Sequence, residues 1–235
     1  MSMRILAVGA HPDDLEILCA GSLAKYAARG DRVFMAISTN GEVGSPRLPK
    51  EEIARIREQE ARASAAIIGA ELHWLGYPDE FLYDNESTRL RYIDLIRETR
   101  PDVIITHDPL HDYHPDHLTT GQILWNIRVM TTVPNIKTKH PPCEKIPALY
   151  FMDTIAGINF SPEEYVDITS TIETKRQMLA AHASQAEWLK DQYNMSYIEF
   201  MEICSGFRGL QAGVRFAECF RRSVTFPTTS ERLLP

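Results

Sequence analysis

Two short stretches of this sequence concentrate the groups that bind metal ions and move protons. In Gly9-Ala10-His11-Pro12-Asp13-Asp14, one imidazole and two adjacent carboxylates fall within four residues. The segment Thr106 to His117 holds four histidines and three aspartates, ending in His114-Pro115-Asp116-His117. Two histidines, one carboxylate and an open position form the donor set of a catalytic zinc. His11, Asp14 and His117 supply that set if the two stretches meet. Pro12 stiffens the first turn, so Asp13 and Asp14 leave it in different directions, one toward a metal and the other toward a substrate. Pro115 suits the first turn of a helix, where His114 and His117, three apart, share a face. Taken alone, either stretch reads as loop punctuation, helix capping or a solvated polar face. Taken together, each after a buried strand, they argue for one site.

The surrounding pattern supplies the elements that bring them together. Arg4 to Gly9 reads as a strand buried on both faces, and Glu16 to Arg29 as a helix stopped by Gly30. Val33 to Ser38 is a second strand, and Lys50 to Ile68 a helix closed by Gly69. Glu71 to Leu75 is a short strand, Thr88 to Thr99 an amphipathic helix, and Asp102 to Thr106 a β-branched strand introduced by Pro101. Ala148 to Met152 adds a strand, and Thr171 to Ala181 and Tyr197 to Gln211 add helices. Lys137 to Pro147, with three prolines and no periodicity, reads as a surface loop. This alternation predicts a single α/β domain over residues 1–235, a three-layer Rossmann-like fold with a mostly parallel sheet flanked by helices. In such sheets ligands bind beyond the carboxyl ends of the strands, where both stretches fall. The first βα turn lacks G-x-G-x-x-G, and its carboxylates repel a pyrophosphate, so a nucleotide-binding role is disfavoured.

Composition narrows the partners. Lys and Arg number 25 against 32 for Asp and Glu, a net charge of -7 that argues against nucleic acid and anionic membranes as partners. No run of 18 apolar residues occurs, and the first apolar run is too short for a signal segment, so a cytoplasmic location is expected. Cys19, Cys143, Cys204 and Cys219 form no C-x-x-C pair and read as reduced thiols, mostly buried.

With these residues in view, the sequence resembles the zinc-dependent de-N-acetylases of the LmbE-like or PIG-L group, which remove acetyl groups from N-acetylglucosamine-containing molecules. Ala10-His11-Pro12-Asp13-Asp14 and His114-Pro115-Asp116-His117 resemble the two metal motifs of that family. Thr39-Asn40-Gly41-Glu42, the helical Arg57 to Glu60, and Gly76-Tyr77-Pro78-Asp79 are similar to its intervening segments. The likeness continues through Val166-Asp167-Ile168, Lys175, His182-Ala183-Ser184-Gln185, Arg208-Gly209 and Phe216-Ala217-Glu218. Leu15 and Asn40 depart from the common pattern, whereas Glu16 is similar to the bacillithiol-biosynthesis-type deacetylase branch. Lys137 to Pro147 has no counterpart in the pattern.

The resemblance implies a zinc-dependent amidohydrolase, with Fe2+ as an alternative metal, acting on an N-acetylglucosaminyl small molecule. His11, Asp14 and His117 are the implied metal ligands. Asp13 is the implied general base, drawing a proton from a metal-activated water as it attacks the amide. A protonated His114, oriented by Asp116, is expected to stabilise the oxyanion. Arg57, through its fork of donors, and Asp79 are expected to bind substrate; otherwise Arg57 pairs with Glu60 on its own helix. His107, Asp108, His111 and Asp112 are expected to support the ligands from outside. His73 and His140 read as structural or solvent-facing, and His182 as a supporting residue. Trp74, Trp125 and Trp188 read as buried, with an aromatic sugar platform as the alternative. The segment Phe216 to Phe220 and the helix before it either pack on the sheet or form a subunit contact, and the family implies a homo-oligomer, a trimer or hexamer. Other readings of the residues are a metal-dependent esterase or phosphoesterase and a non-catalytic sugar-binding homologue.

Overall fold

A computed structural model describes residues 2–224 and 233–235 of the protein. Among them, seven strands form one sheet: β1 (Arg4–Gly9), β2 (Arg32–Thr39), β3 (Glu71–Tyr77), β4 (Val103–Thr106), β5 (Ala148–Met152), β6 (Glu164–Asp167) and β7 (Ala217–Arg222). Their order is β3-β2-β1-β4-β5-β7-β6, with β1 to β5 mutually parallel and β7 antiparallel to both β5 and β6. The chain therefore runs outward from β1 through β2 to β3, then returns to place β4 on the other side of β1. This reversal opens a crevice beyond the carboxyl ends of β1 and β4, the switch point at which open α/β sheets bind ligands.

Eight helices accompany the described strands: α1 (Asp14–Leu18), α2 (Ala20–Ala28), α3 (Lys50–Ile67), α4 (Glu86–Thr99), α5 (Pro115–Ile127), α6 (Ile172–Ala180), α7 (Ala183–Tyr193) and α8 (Tyr197–Ala212). Successive β1 side chains point to opposite faces, so each face meets its own core. Ile5 and Ala7 pack with Leu23 and Tyr26 of α2, Met178 of α6 and Met201 of α8. Leu6 and Val8 pack with Tyr92 and Ile96 of α4 and Ile123 and Leu124 of α5. The result is the expected three-layer arrangement, with an antiparallel edge formed by β6 and β7.

The helix expected over Glu16 to Arg29 is two helices, broken at Cys19 (φ -145°, ψ 4°). The break frees the first N–H groups of α2, and those of Gly21 and Ser22 donate to the Glu218 carboxylate at 2.8 and 2.7 Å. Such a cap satisfies orphan donors and places negative charge at the positive end of the helix dipole. Lys175 completes this buried group, its Nζ 2.5 Å from Glu218. Phe216 to Phe220 packs within the molecule: from Ala217 onward it forms β7, inside the sheet between β5 and β6. The four cysteines are free thiols, two of them buried.

Candidate metal centre and its cavity

The loops after β1 and β4 meet because their strands are hydrogen-bonded neighbours, with Val8 in register with Thr106. Thr106 Oγ1 donates to Val8 O at 3.0 Å, and Thr39 N donates to Ala10 O at 2.8 Å. Gly121 lets α5 approach the second loop, since a Cβ there would lie 2.4 Å from His107 O. In the first loop, Pro12 is followed by Asp13 at φ 117°, a left-handed conformation costly for a residue with a side chain. Arg57 of α3 holds it there, Nη2 donating to Pro12 O at 2.6 Å and to Asp13 Oδ2 at 3.2 Å. Its Nη1 donates to Gly41 O at 3.3 Å. Gly41, at φ 64°, leaves room for the guanidinium, because a Cβ there would sit 2.6 Å from Nη1.

Two imidazole nitrogens and the Asp14 carboxylate converge at the centre. His11 Nδ1 is 3.2 Å from His117 Nε2 and 3.6 Å from Asp14 Oδ2, while His117 Nε2 is 3.3 Å from Asp14 Oδ1. A tetrahedron around a cation bonded at about 2.0–2.1 Å has edges of roughly 3.3–3.4 Å, close to the His11–His117 and His117–Asp14 sides of this triangle, whose two Asp14 contacts are made by different oxygens of the carboxylate. The far side of each ring is tied to carboxylates. His11 Nε2 lies 3.1 Å from Asp79 Oδ1 and 3.3 Å from Asp116 Oδ2, and His117 Nδ1 lies 3.0 Å from Asp112 Oδ2. If those far nitrogens carry the ring protons, Nδ1 of His11 and Nε2 of His117 present bare lone pairs to each other beside a carboxylate. That arrangement is repulsive unless a positive charge lies among them, and a divalent cation fits the donor set.

The local field is strongly cation-seeking. Burial opposes charge on His11, yet hydrogen bonds with Asp116, Asp14 and Asp79 hold its pKa well above the ordinary value. Burial likewise opposes charge on His117, but Asp14 and Asp112 push its pKa up to about 9. Asp14 stays well below the usual carboxylate range, because His117 and His107 overcome its burial. The same side chains also fall into overlapping groups, His11 with His114 and His117, Asp14 with His107 and His117, and His11 with Asp79 and Asp116.

Asp13 lines the cavity beside this triangle. Burial raises its pKa against the pull of Arg57, and the neighbouring Asp14 charge adds to the rise. Tyr197, buried at the start of α8, lines the cavity with Asp13, and its hydroxyl interacts with that carboxylate. His114 caps α5, its Nδ1 accepting from Asp116 N at 3.3 Å. That bond needs a bare Nδ1, which leaves the ring proton on Nε2, 3.3 Å from Glu80 Oε1.

Several expected roles change here. Arg57 is 4% exposed and both terminal nitrogens donate to the protein, which makes it a residue that positions Asp13; only its buried Nε is without a partner. Nor does Arg57 pair with Glu60, which instead accepts from Ser184 N and Oγ at 2.8 and 2.7 Å. Asp79 uses one oxygen on His11 and the other on Val43 N (3.3 Å), so it holds the His11 ring and the loop at Val43 as well as lining the cavity. The Asp116 carboxylate faces His11 and accepts from Glu80 N at 2.8 Å; only its backbone N–H orients His114. Burial and the neighbouring His11 and His117 lower the His114 pKa, so His114 is a neutral Nε2–H donor here, in place of the expected imidazolium.

The outer residues support the centre from several directions. Asp112 holds His117, and His107 Nε2 lies 3.0 Å from both Ala10 N and Asp14 Oδ2. Asp108 binds His111 and also Arg221 of β7 at 2.6 Å. His182 is fully buried 3.3 Å from Glu16, which accepts from Ser64 Oγ at 2.5 Å. His140 pairs with Asp94 at 3.1 Å. Trp74 and Trp125 pack partly buried against the two cores, whereas Trp188 lines the cavity.

The cavity has a volume of about 500 Å³. Its floor is His11, Asp13, Asp14, Asp79, His114 and His117, and its wall is built largely from the chain after β5. Sequence reasoning placed Tyr197 only as a helix start and missed α7 entirely. The N-capping Ser196, whose Oγ accepts from Glu199 N, is a signal for the start of α8 but carries no hint of the Asp13 contact.

Comparison with known proteins follows the same geography. The family model described as GlcNAc-PI de-N-acetylase (PIG-L) matches residues 6–128, from β1 through the end of α5, and so includes both metal-like loops. A probable N-acetyl-alpha-D-glucosaminyl L-malate deacetylase 2 from Bacillus anthracis is 28% identical over 211 residues, covering 85% of this chain and 90% of its own. The solved N,N'-diacetylchitobiose deacetylase from Pyrococcus horikoshii has a TM-score of 0.83 and 27% identity, with 94% of this chain and 84% of that chain covered. The 4-carboxy-2-hydroxymuconate hydratase from Pseudomonas putida KT2440 has a TM-score of 0.82, covering 98% of this chain and 100% of that one. At 22% identity, the hydratase likeness speaks for the fold alone.

Proposed function

Because this chain belongs to the PIG-L, or GlcNAc-PI de-N-acetylase, family, we propose that it is a metal-dependent N-deacetylase that hydrolyses an N-acetylglucosamine-containing small molecule to acetate and a free amine. We read residues 1–235 as one such domain. The observation that carries the reading is the meeting of His11 Nδ1, His117 Nε2 and the Asp14 carboxylate at 3.2–3.6 Å, with both rings tied to carboxylates behind. The fold alone serves hydration as well as hydrolysis; the deacetylase relatives and this donor set favour hydrolysis.

His11, Asp14 and His117 hold the divalent ion, with zinc the best fit to two imidazoles and a carboxylate and Fe2+ the alternative. When bound, the ion supplies Lewis-acid polarisation of the carbonyl and lowers the pKa of water from 15.7 toward about 7. Asp13 takes a proton from the attacking water as the oxygen joins the carbonyl carbon. It returns that proton to the amine nitrogen as the carbon–nitrogen bond breaks, leaving acetate and the amine. His114 donates its Nε2–H to the carbonyl oxygen while negative charge grows there. Asp79 and Asp116 fix the His11 ring, Asp112 fixes His117, and Arg57 and Tyr197 fix Asp13.

The test is zinc-loaded protein incubated with N-acetylglucosaminides, assayed for acetate and free amine. Equal release of both, stopped by a chelator and restored by zinc, is expected. A protein holding stoichiometric zinc that releases neither from a broad panel overturns the reading. Among the described residues, no helix is long and apolar enough to cross a membrane. A homo-oligomer is part of the proposal, because α8 leaves Ile203, Phe207 and Leu210 exposed at i, i+4 and i+7 on one face.

A further inference from the structure

The floor and the wall of the cavity differ in chemistry. On the floor, the groups that would grip hydroxyls already hold protein partners: Arg57 donates to Pro12, Gly41 and Asp13 with its Nε left buried, and Asp79 contacts His11 and Val43 N. On the wall, Gln185 Nε2 donates to Gly44 O at 3.1 Å, and Ser196 Oγ caps α8. Glu80, Tyr113 and Tyr197 add polar groups, and the rest of the wall is apolar: Ile155 and Ile158 from the turn after β5, Trp188 and Leu189 from α7, Met195 from the link that follows, and Phe200 from α8. Ile158 and Met195 are exposed at the rim, 53% and 38%. An aromatic ring alone would suit a sugar face. Four aliphatic side chains around it do not, because hydroxyls pressed against them lose water and gain no partner.

We propose that this wall selects amide substrates carrying an alkyl or aryl group, which lies against Ile155, Ile158, Trp188, Leu189, Met195 and Phe200 while the amide sits on the floor. The inference deepens the deacetylase reading and rests on it for the turnover arms of its test, but not for the binding arm. A cavity of about 500 Å³ holds an amide-bearing head together with such a group, within the size range of small-molecule sites. The group enters either on the amine side, as an apolar aglycone, or on the acyl side, as a chain longer than acetyl.

The binding arm titrates zinc-loaded protein with methyl, butyl and hexyl β-D-glucosides below their micellar concentrations. Burying a methylene is worth about a fourfold gain in affinity, and partial burial about twofold, so Kd is expected to fall by about 2- to 4-fold per methylene. Ile158→Ser, at an exposed position that spares the fold, is expected to flatten that slope, and Leu189→Ser to flatten it further. Two turnover arms then locate the group: alkyl glycosides of N-acetylglucosamine, and N-acylglucosamines of rising acyl length, compared by kcat/KM. A rise along one series assigns the apolar group to that side. Equal Kd for the methyl and hexyl glucosides overturns the proposal, whatever the activity. A falling Kd with no amine released from any substrate supports the apolar wall and overturns the deacetylase reading instead.

Discussion

The half of the molecule up to residue 128 and the half from β5 onward contribute different things to one cavity. The first half presents imidazoles and carboxylates on loops fixed to the ends of two adjacent parallel strands. Their positions follow from sheet register, since Val8 pairs with Thr106, with His11 three residues beyond the first and His114 eight beyond the second. The second half contributes mostly apolar surface, with the Gln185 amide and the Ser196 and Tyr197 hydroxyls, through helices α7 and α8 and the links beside them. Chemistry in this protein is a matter of residue type at fixed spacing, whereas the shape that receives the substrate is a matter of how helices stack.

The sharpest way to break this comparison is to disable each half and watch different readouts. Asp13→Asn should lower kcat by about 10²–10⁴-fold, the range for losing a general base, while the zinc content measured by metal analysis is unchanged. A loss smaller than tenfold would place the base elsewhere. In the second half, Lys175→Met leaves the Glu218 carboxylate buried without its cation and should cost about 3–5 kcal/mol of stability, measured by denaturant unfolding. If that variant lost zinc while remaining as stable as the wild type, the second half would have a direct hold on the centre.

How much was legible in the sequence divides along the same line. The parallel strands, the paired loops and the set of His11, Asp14 and His117 follow from apolar runs and from polar groups too dense to be incidental. The break at Cys19 is not legible, because its cause is Glu218, a residue that arrives from β7 to cap α2. The roles of Arg57 and Asp79 are not legible for a related reason. Their residue types suit a substrate contact, but the left-handed turn at Asp13 and the ring of His11 need the same donors and oxygens. β6 escapes because an edge strand of four residues, Glu164–Asp167, carries too little apolar character for a period to show, and β7 reads only as a segment that packs on the sheet or forms a subunit contact.

One contact ties the halves together and sharpens the comparison at lower cost. Arg221 of β7 reaches Asp108, just beyond β4, at 2.6 Å. Burial would raise the Asp108 pKa, but Arg221 and the Leu110 N–H hold it below the ordinary value. A carboxylate with a depressed folded pKa stabilises the fold above its unfolded pKa and loses that contribution as pH falls through the folded value. Arg221→Met should therefore cost about 1.5–3 kcal/mol at neutral pH, and the gap from wild type should close in unfolding experiments carried below about pH 4. A gap that is independent of pH would mean Arg221 contributes by packing on Phe151, over whose ring it lies, and not by charge.

The smallest effect is expected where the second half touches the chemistry itself. Tyr197 supplies a hydroxyl to Asp13 from the start of α8, and Arg57 supplies the opposing donor from α3. Removing the hydroxyl in Tyr197→Phe leaves Asp13 with its Arg57 partner and its backbone conformation, so kcat should fall by about 10-fold, or about 1.4 kcal/mol, with KM nearly unchanged. A Tyr197→Phe loss as large as that of Asp13→Asn would make the hydroxyl a participant in the reaction, and the division between a chemical half and a shaping half would fail at that residue. A loss confined to KM would instead assign Tyr197 to the wall, beside Phe200, and leave Arg57 as the residue that holds the base in place.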